Sequence, residues 1–134
     1  MSRLQEKFVA YSSALKRLNE AIEMYKKENN AILLDGTIQR FEFTVELGWK
    51  LMKQYLEDEK FGEFNSPKST VKEAYRVGII EDGEQWLDML DDRNLTSHTY
   101  DEEVAKEIYR NILTRHIEIL MKLEEKLKSE IEDE

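Results

Sequence analysis

The hydrophobic residues of this chain recur every three or four positions, which is the spacing of one face of an α-helix. Over the first 25 residues they form a single stripe, which predicts a first helix that ends near the polar stretch 26–30. The residues of this stripe are Leu4, Phe8, Tyr11, Leu15, Leu18, Ile22 and Tyr25.

A second, longer helix is predicted from Asp35-Gly36 onward. Its apolar residues form two neighbouring stripes, and a helix that is buried on two sides is expected to lie centrally in a bundle. The first stripe contains Ile38, Phe41, Val45, Gly48, Met52 and Tyr55, and the second contains Phe43, Leu47 and Leu51.

Further helices are predicted from paired start signals, in which an N-cap residue precedes a Pro or a Glu/Gln. The first of them ends near Val77, because Gly78 can adopt the left-handed C-cap conformation. The acidic end of the chain, about residues 128–134, is predicted to be a frayed tail. Residues 1–134 therefore form one domain, an all-α, antiparallel up-and-down bundle of four to five helices. The start signals are Ser66 with Pro67, Asp82 with Gln85, and Thr99 with Glu102.

Composition excludes several classes of site. The chain has no cysteine, which excludes disulfides, thiolate metal sites and thiol nucleophiles. Its net charge of −9 argues against loose, charge-driven binding to nucleic acid or anionic lipid, although a small local basic site remains compatible with it. The chain shows neither an apolar signal core nor the ~18 apolar residues of a membrane span. We therefore expect a cytoplasmic protein without membrane contact.

The stretch RNLTSHTY, residues 93–100, carries the clearest candidate chemistry. If Thr99 caps the last helix, Arg93 lies in the final turn of the preceding helix and His98 lies in the corner between them. A histidine with a pKa near ~6.5 can transfer a proton at neutral pH. An arginine fork matches phosphate oxygens and can stabilise a pentacovalent transition state. The motif thus suits cleavage of a phosphodiester.

Neighbouring side chains can support such a site, and subunit pairing can enlarge it. Asn94, with Ser97 or Thr96, can orient a substrate. Two copies that meet at a twofold axis would supply two arginines and two histidines. The same residues also have a structural interpretation, in which Arg93 and His98 cap a helix end and Tyr100 is an interfacial aromatic residue.

Two further stretches, together with RNLTSHTY, resemble a known family. DGTIQRFEFTVELGWK (residues 35–50) and SPKSTVKEAYRVGII (residues 66–80) are similar to nucleotidyltransferase substrate-binding subunits of the HEPN superfamily. The similarity covers about residues 5–125. The resemblance implies a helical bundle that forms a homodimer and pairs with a separately encoded minimal nucleotidyltransferase.

The resemblance also implies residue roles. In some such pairs the helical subunit is an endoribonuclease toxin, and the nucleotidyltransferase silences it by adding AMP to the motif tyrosine. Arg93 and His98 would then be catalytic, Asn94 and Ser97 supporting, and Tyr100 the modified residue. Other relatives are non-enzymatic substrate-binding subunits, and the motif does not separate the two roles. A dimerising bundle without activity is the third alternative.

Polar and aromatic residues outside the motif 93–100 are assigned mainly structural roles. Glu42 and Glu46 lie one helical turn apart, near Arg40, and no histidine accompanies them, so charge pairing is favoured over a metal site. Within the resemblance, these three residues shape a pocket or a partner surface. His116 is predicted to be a core or interface histidine, and Trp49 and Trp86 to be core or interface aromatics. We expect no metal and no cofactor, and RNA is the candidate ligand.

Overall fold

The computed structural model describes residues 1–132, and this part of the chain is built from helices joined by short connections. A 3₁₀ turn, Thr96–His98, follows α4, and a π-helical turn, Ile112–His116, joins α5 and α6 into one continuous helix. Within residues 1–132, no helix is both long enough and apolar enough to cross a membrane. The α-helical segments are α1 (Arg3–Glu28), α2 (Ala31–Asp58), α3 (Pro67–Arg76), α4 (Gly83–Leu95), α5 (Glu102–Asn111) and α6 (Ile117–Glu132).

The order of contacts between helices shows an up-and-down bundle. α1 and α2 form an antiparallel hairpin across a two-residue connection, α4 is antiparallel to α2, and the α5–α6 helix runs antiparallel to α1. This confirms the predicted all-α, antiparallel bundle. The contacts that establish these directions are Arg17 with Arg40, Tyr11 with Gly48, Glu46 with Arg93, Glu42 with Thr96, Tyr25 with Tyr109, and Tyr11 with Leu120.

α2 lies at the centre, as its two apolar stripes predicted, and it contributes more buried residues than any other helix. All six residues of the first stripe are buried. In the second stripe Leu51 is buried, whereas Phe43 and Leu47 are only partly buried. Trp86 and His116 are fully buried core residues, as predicted, and Trp49 is nearly so.

α2 approaches its neighbours most closely at Gly48. A Cβ atom at this position would lie 3.0 Å from Tyr11 Cε1 and 3.2 Å from Trp86 Cη2. Tyr11 has no room to move, because it is fully buried and its hydroxyl donates to the Leu120 carbonyl at 2.8 Å. Burial raises the pKa of the Tyr11 phenol, so the hydroxyl stays protonated and remains a donor. Gly48 thus allows three helices to meet.

Two helix starts differ from the prediction. α2 begins at Ala31 rather than near Asp35, because the Asn30 side chain accepts a hydrogen bond from the Leu33 amide and caps the helix. The early residues Ala31 and Ile32 are exposed, so the apolar pattern could not reveal this first turn. Asp82 does occupy the N-cap position of α4, but its side chain makes no capping hydrogen bond.

The predicted capping box of Thr99 and Glu102 is wrong. Asp101 caps α5 and accepts from the Glu103 amide at 3.0 Å, whereas the Thr99 hydroxyl donates to the Thr96 carbonyl at 3.4 Å. The 3₁₀ turn after α4 causes the difference, because it extends the helical path through His98 and moves the next start to a later N-cap residue.

The predicted frayed tail is also wrong as far as Glu132. α6 continues to this residue, since Leu127 is buried and the Tyr55 hydroxyl lies 3.2 Å from a Glu130 carboxylate oxygen. Residues 133 and 134 lie outside the described part of the chain.

A partly buried polar cluster connects α4 to the last helix. His116 Nε2 donates to Asp92 Oδ2 at 2.7 Å, and the Asn111 amide donates to the same oxygen at 3.0 Å. The His116 ring is fully buried and stacks on Phe41, with ring centroids 5.5 Å apart. Burial alone would raise the pKa of Asp92, but the two hydrogen bonds and the neighbouring charges lower it overall. The carboxylate is therefore ionised and holds α4 against the π-helical turn.

Replacing Gly48 with alanine should destabilise the protein. The added methyl group meets two fully buried rings, and overpacking outweighs the gain in helix propensity, so we expect the free energy of unfolding to fall by about 1–2 kcal/mol. Gly36→Ala is the matched control on the same helix. Apart from its chain neighbours and the backbone of its own helix, no atom of residues 1–132 lies within 4 Å of its added Cβ, so this variant should be more stable than the parent chain. Urea denaturation of both variants measures this, and equal stabilisation by both would contradict the close approach.

Replacing Asp92 with asparagine should make the protein less stable in a pH-dependent way. The folded pKa of Asp92 lies below its unfolded value, so its contribution is present above the ordinary Asp range and is lost as the pH falls through the folded pKa. We expect Asp92→Asn to cost about 1–3 kcal/mol at pH 7 and progressively less at acidic pH. Asp91→Asn, at the exposed neighbouring position, is the control and should have little effect. A cost that does not change with pH would contradict this role.

Candidate functional site

Arg93 lies in the last turn of α4, as predicted, and its guanidinium faces α2. Its Nη2 atom lies 3.2 Å from Glu46 Oε2. The other oxygen of the same carboxylate lies 3.5 Å from Lys50 Nζ. The Arg93 side chain is 34% exposed, so this ion pair orients the guanidinium more than it stabilises the fold.

A second carboxylate of α2 holds the 3₁₀ turn. The Thr96 hydroxyl donates to Glu42 and also lies 2.7 Å from the Arg93 carbonyl oxygen, so one proton serves two acceptors. Glu42 and Glu46 lie one turn apart on α2, and both contact the end of α4. The charge pairing predicted for this acidic strip is therefore present at Glu46.

Arg40, predicted to belong with this strip, lies elsewhere. Its guanidinium donates to the Arg17 carbonyl oxygen at 2.8 Å, on α1. The reason is helical geometry, because residues two positions apart point roughly 200° away from each other. Arg40 therefore contributes to the α1–α2 hairpin, while Glu42 and Glu46 face α4.

His98 ends the 3₁₀ turn, and its exposed imidazole lies beside Tyr100. His98 Nδ1 is 3.4 Å from the Tyr100 hydroxyl, and the two rings meet edge to face with centroids 5.9 Å apart. The Tyr100 side chain is 86% exposed. Both rings are thus open to a ligand or to a second protein.

The remaining motif residues are also at the surface. Asn94 and Ser97 are exposed, and the Ser97 hydroxyl donates to the Asn94 backbone carbonyl at 3.3 Å. Within the described chain, the ion pair of Arg93 is with Glu46 and the ring contact of His98 is with Tyr100. The structure therefore brings His98 and Tyr100 together, while Arg93 is held by α2.

A surface cleft of about 400 Å³ adjoins Arg93. We call it the Trp49 cleft; it lies between α2, the start of α3 and the end of α4. Sequence reasoning identified Trp49 only as a core or interface aromatic and did not assign Lys68, Pro67 or Leu90 to a binding site. These residues lie on three different helices and come together only when those helices pack. The lining residues are Glu46, Trp49, Pro67, Lys68, Leu90, Arg93 and Asn94.

The buried cluster around Asp92 supports this site from the opposite side. Asp92 precedes Arg93 in the chain, and its bonds to His116 and Asn111 anchor the turn of α4 that carries the guanidinium. Sequence reasoning found His116 from its place in an apolar stripe. It missed Asp92 and Asn111, because neither has a local signal that points to a partner so far along the chain.

Similarity to known proteins covers nearly the whole chain. Residues 6–129 match the family described as nucleotidyltransferase substrate binding protein like. A Haemophilus influenzae protein named probable ribonuclease HepT is 41% identical over 85 residues. That stretch is 60% of this chain and 58% of the relative, so the alignment spans little more than half of that protein.

Three solved structures share the fold. A Thermus thermophilus protein is 33% identical with a TM-score of 0.74, and the match covers 90% of this chain and 97% of that one. A Haemophilus influenzae protein, described as having the fold of a substrate binding domain of a nucleotidyltransferase, is 31% identical with a TM-score of 0.79, covering 90% and 98%. A toxin-antitoxin structure with AMP-PNP has a TM-score of 0.76 at 14% identity, covering 95% and 99%, and shows the fold alone. The chain therefore belongs to the family of nucleotidyltransferase substrate-binding proteins, which confirms the resemblance drawn from its sequence.

Proposed function

We propose that this protein is a HEPN-type endoribonuclease subunit that a nucleotidyltransferase partner silences by adding AMP to Tyr100. The observation that carries the proposal is the contact between His98 and Tyr100, in which the phenol lies 3.4 Å from the imidazole and is open to solvent. A group added to that hydroxyl would stand directly beside the proposed catalytic histidine. Membership of the family and the 41% identity to a protein named as a probable ribonuclease support this assignment.

The chemistry requires neither a metal nor a cofactor. In RNA, the ribose 2′-hydroxyl can attack the adjacent phosphorus, which breaks the bond to the 5′ oxygen of the next nucleotide and leaves a 2′,3′-cyclic phosphate. His98 moves the proton of the attacking 2′-hydroxyl to the departing 5′ oxygen, and its Nε2 atom remains open when Nδ1 faces Tyr100. Arg93 stabilises the extra negative charge on the pentacovalent phosphorus. Asn94 and Ser97 are exposed beside them and orient the RNA.

The proposed active site is completed by a second copy of the chain. Arg93 and His98 have different partners within one copy, so a single copy does not bring the two side chains together. Leu95, which lies between them in the chain, is 43% exposed, and the exposed ring of Tyr100 adds more apolar surface near the end of α4. Pairing of two such corners about a twofold axis covers this surface and brings Arg93 of one copy towards His98 of the other.

AMP on Tyr100 blocks this site by charge and by size. The modification adds a phosphodiester anion and a nucleoside next to His98, where the RNA phosphate would bind. The added anion also competes for Arg93. This chain carries no glycine-rich nucleotide fingerprint of its own, so the transfer of AMP needs a separate protein. Membership of the family supports a minimal nucleotidyltransferase as that partner.

A non-enzymatic substrate-binding subunit is the second candidate function. The family description and the ion pair that engages Arg93 with Glu46 both favour it. In that case the corner presents a substrate to the partner rather than cutting it. Absence of cleavage by the unmodified wild-type protein would favour this function.

Substitution of either catalytic residue should abolish RNA cleavage, and mixing the two variants should restore part of it. Arg93→Ala and His98→Ala should each lower metal-free cleavage by about 100-fold or more. In a refolded equimolar mixture, half of the dimers carry one of each variant and hence one intact site. We therefore expect roughly a quarter of wild-type activity to return.

Arg115→Ala is the control for this experiment, because Arg115 also pairs with a carboxylate, that of Asp88, but lies on the π-helical turn. It should cleave like the wild type. Cleavage that persists in both single variants would indicate a contaminating nuclease. A mixture that stays inactive would contradict a site shared between two copies.

Co-expression with the nucleotidyltransferase should place AMP on Tyr100 and stop cleavage. Mass spectrometry of peptides locates the adduct, and a cleavage assay on the same sample measures silencing. Tyr100→Phe should remain unmodified and active in the presence of the partner. Tyr75, which is 56% exposed on α3, is the internal control and should carry no AMP. An unmodified Tyr100, or modification of Tyr75 at a similar level, would contradict the proposal.

A further inference from the structure

The Trp49 cleft has the dimensions and the lining of a small-molecule site. Its volume of about 400 Å³ lies in the range typical of ligand pockets. Trp49, Pro67 and Leu90 give it an apolar wall, and Arg93 and Asn94 connect it to the proposed active site. A flat apolar ring with a charged group at one end matches this distribution of side chains.

Two residues of the cleft lining each have a buried N–H donor with no hydrogen-bond partner within residues 1–132. Trp49 is 9% exposed, and its indole Nε1 is buried without a hydrogen bond. Arg93 Nε is likewise buried and unpaired, although Nη2 of the same side chain contacts Glu46. An unsatisfied buried donor is unfavourable, and buried tryptophan N–H groups usually have an acceptor. A ligand with carbonyl or phosphate oxygens in the cleft would supply acceptors to these two residues of its lining.

Charge distinguishes this cleft from others on the surface. Its lining carries two cations, Lys68 and Arg93, against one anion, Glu46. Three other clefts, of about 330–590 Å³, are neutral or carry one net negative charge. In a chain with a net charge of −9, a positive cleft favours an anionic ligand.

We propose that the Trp49 cleft is a nucleotide subsite, which binds one base of the RNA against the Trp49 indole while Arg93 and Lys68 contact the adjacent phosphate. The Trp49 N–H donates to an oxygen or ring nitrogen of the base. Glu46 and Asn94 face the remaining polar edge and discriminate between bases. This assignment rests on the proposed function, because it names the part of the substrate that lies next to the cleaved bond.

The two tryptophans of the chain provide a direct test by fluorescence. Trp86→Phe leaves Trp49 as the only indole, and Trp49→Phe leaves Trp86, which is fully buried and lies outside the cleft lining. The probes are the four nucleoside 5′-monophosphates, with ribose 5-phosphate as the probe that lacks a base. We expect added nucleotide to change the tryptophan emission of Trp86→Phe until the site is saturated. Calorimetry should show that Trp49→Phe binds nucleotides about tenfold more weakly than the wild type does.

A pair of surface variants tests the cleft without altering the core. Lys68 and Lys72 are both exposed and lie one turn apart on α3, but Lys68 lines this cleft and Lys72 lines another. Lys68→Glu should weaken nucleotide binding to the otherwise wild-type protein by about tenfold, and Lys72→Glu should not. Circular dichroism confirms that each variant is folded.

The outcomes separate this proposal from the nuclease assignment. Saturable binding at Trp49 by a protein that cleaves no RNA would support the subsite and contradict the nuclease. RNA cleavage with no response at Trp49, and with the same base preference in wild type and Trp49→Phe, would overturn the subsite alone. Equal affinity for ribose 5-phosphate and for the nucleotides would also overturn it, because the base would then make no contact.

Discussion

The end of α4 is held from two sides by carboxylates, and the candidate site depends on that constraint. On one side, Glu42 and Glu46 of α2 bind Thr96 and Arg93. On the other side, Asp92 accepts two hydrogen bonds from the last helix. Adjacent residues of a helix point roughly 100° apart, so one turn can reach both neighbours at once. The direction of the Arg93 guanidinium is therefore set by the packing of three helices.

The hydrogen bond of Asp92 to His116 is stronger than the ion pair of Arg93 with Glu46, and a weakly held guanidinium is suited to binding a ligand. Asp92 is bonded to the fully buried His116, and breaking a buried, charged hydrogen bond is costly. The ion pair between Arg93 and Glu46 is partly exposed and contributes at most about 1 kcal/mol. A phosphate that displaced Glu46, as the proposed function requires, would therefore leave the helix that carries Arg93 undisturbed. A rigid backbone thus presents a guanidinium that is free to exchange its partner.

Regular features of the fold follow from local rules and were predictable from the sequence. The 3.6-residue period placed α2 in the centre, and Ser66 with Pro67 marked the start of α3. Gly78 has a positive φ of 87°, as the predicted left-handed cap requires. The prediction failed where two local signals compete within a few residues. Thr99 and Asp101 are both residue types that favour the N-cap position. The hydrogen bond from Thr96 to Glu42 holds the 3₁₀ turn in place, and α5 therefore begins after Asp101.

The helical class, the central position of α2, the family and the chemical types at the candidate site could all be inferred from the amino-acid sequence alone. They depend on periodicity, composition and short motifs, which are properties of neighbouring residues. The packing of the helices, in contrast, was needed to show that Arg93 is held by Glu46, that Asp92 meets His116 and that Trp49 lines a cleft. Each of these contacts joins residues that are far apart in the chain or on different helices. Their geometry comes from how the helices pack, which no local pattern records.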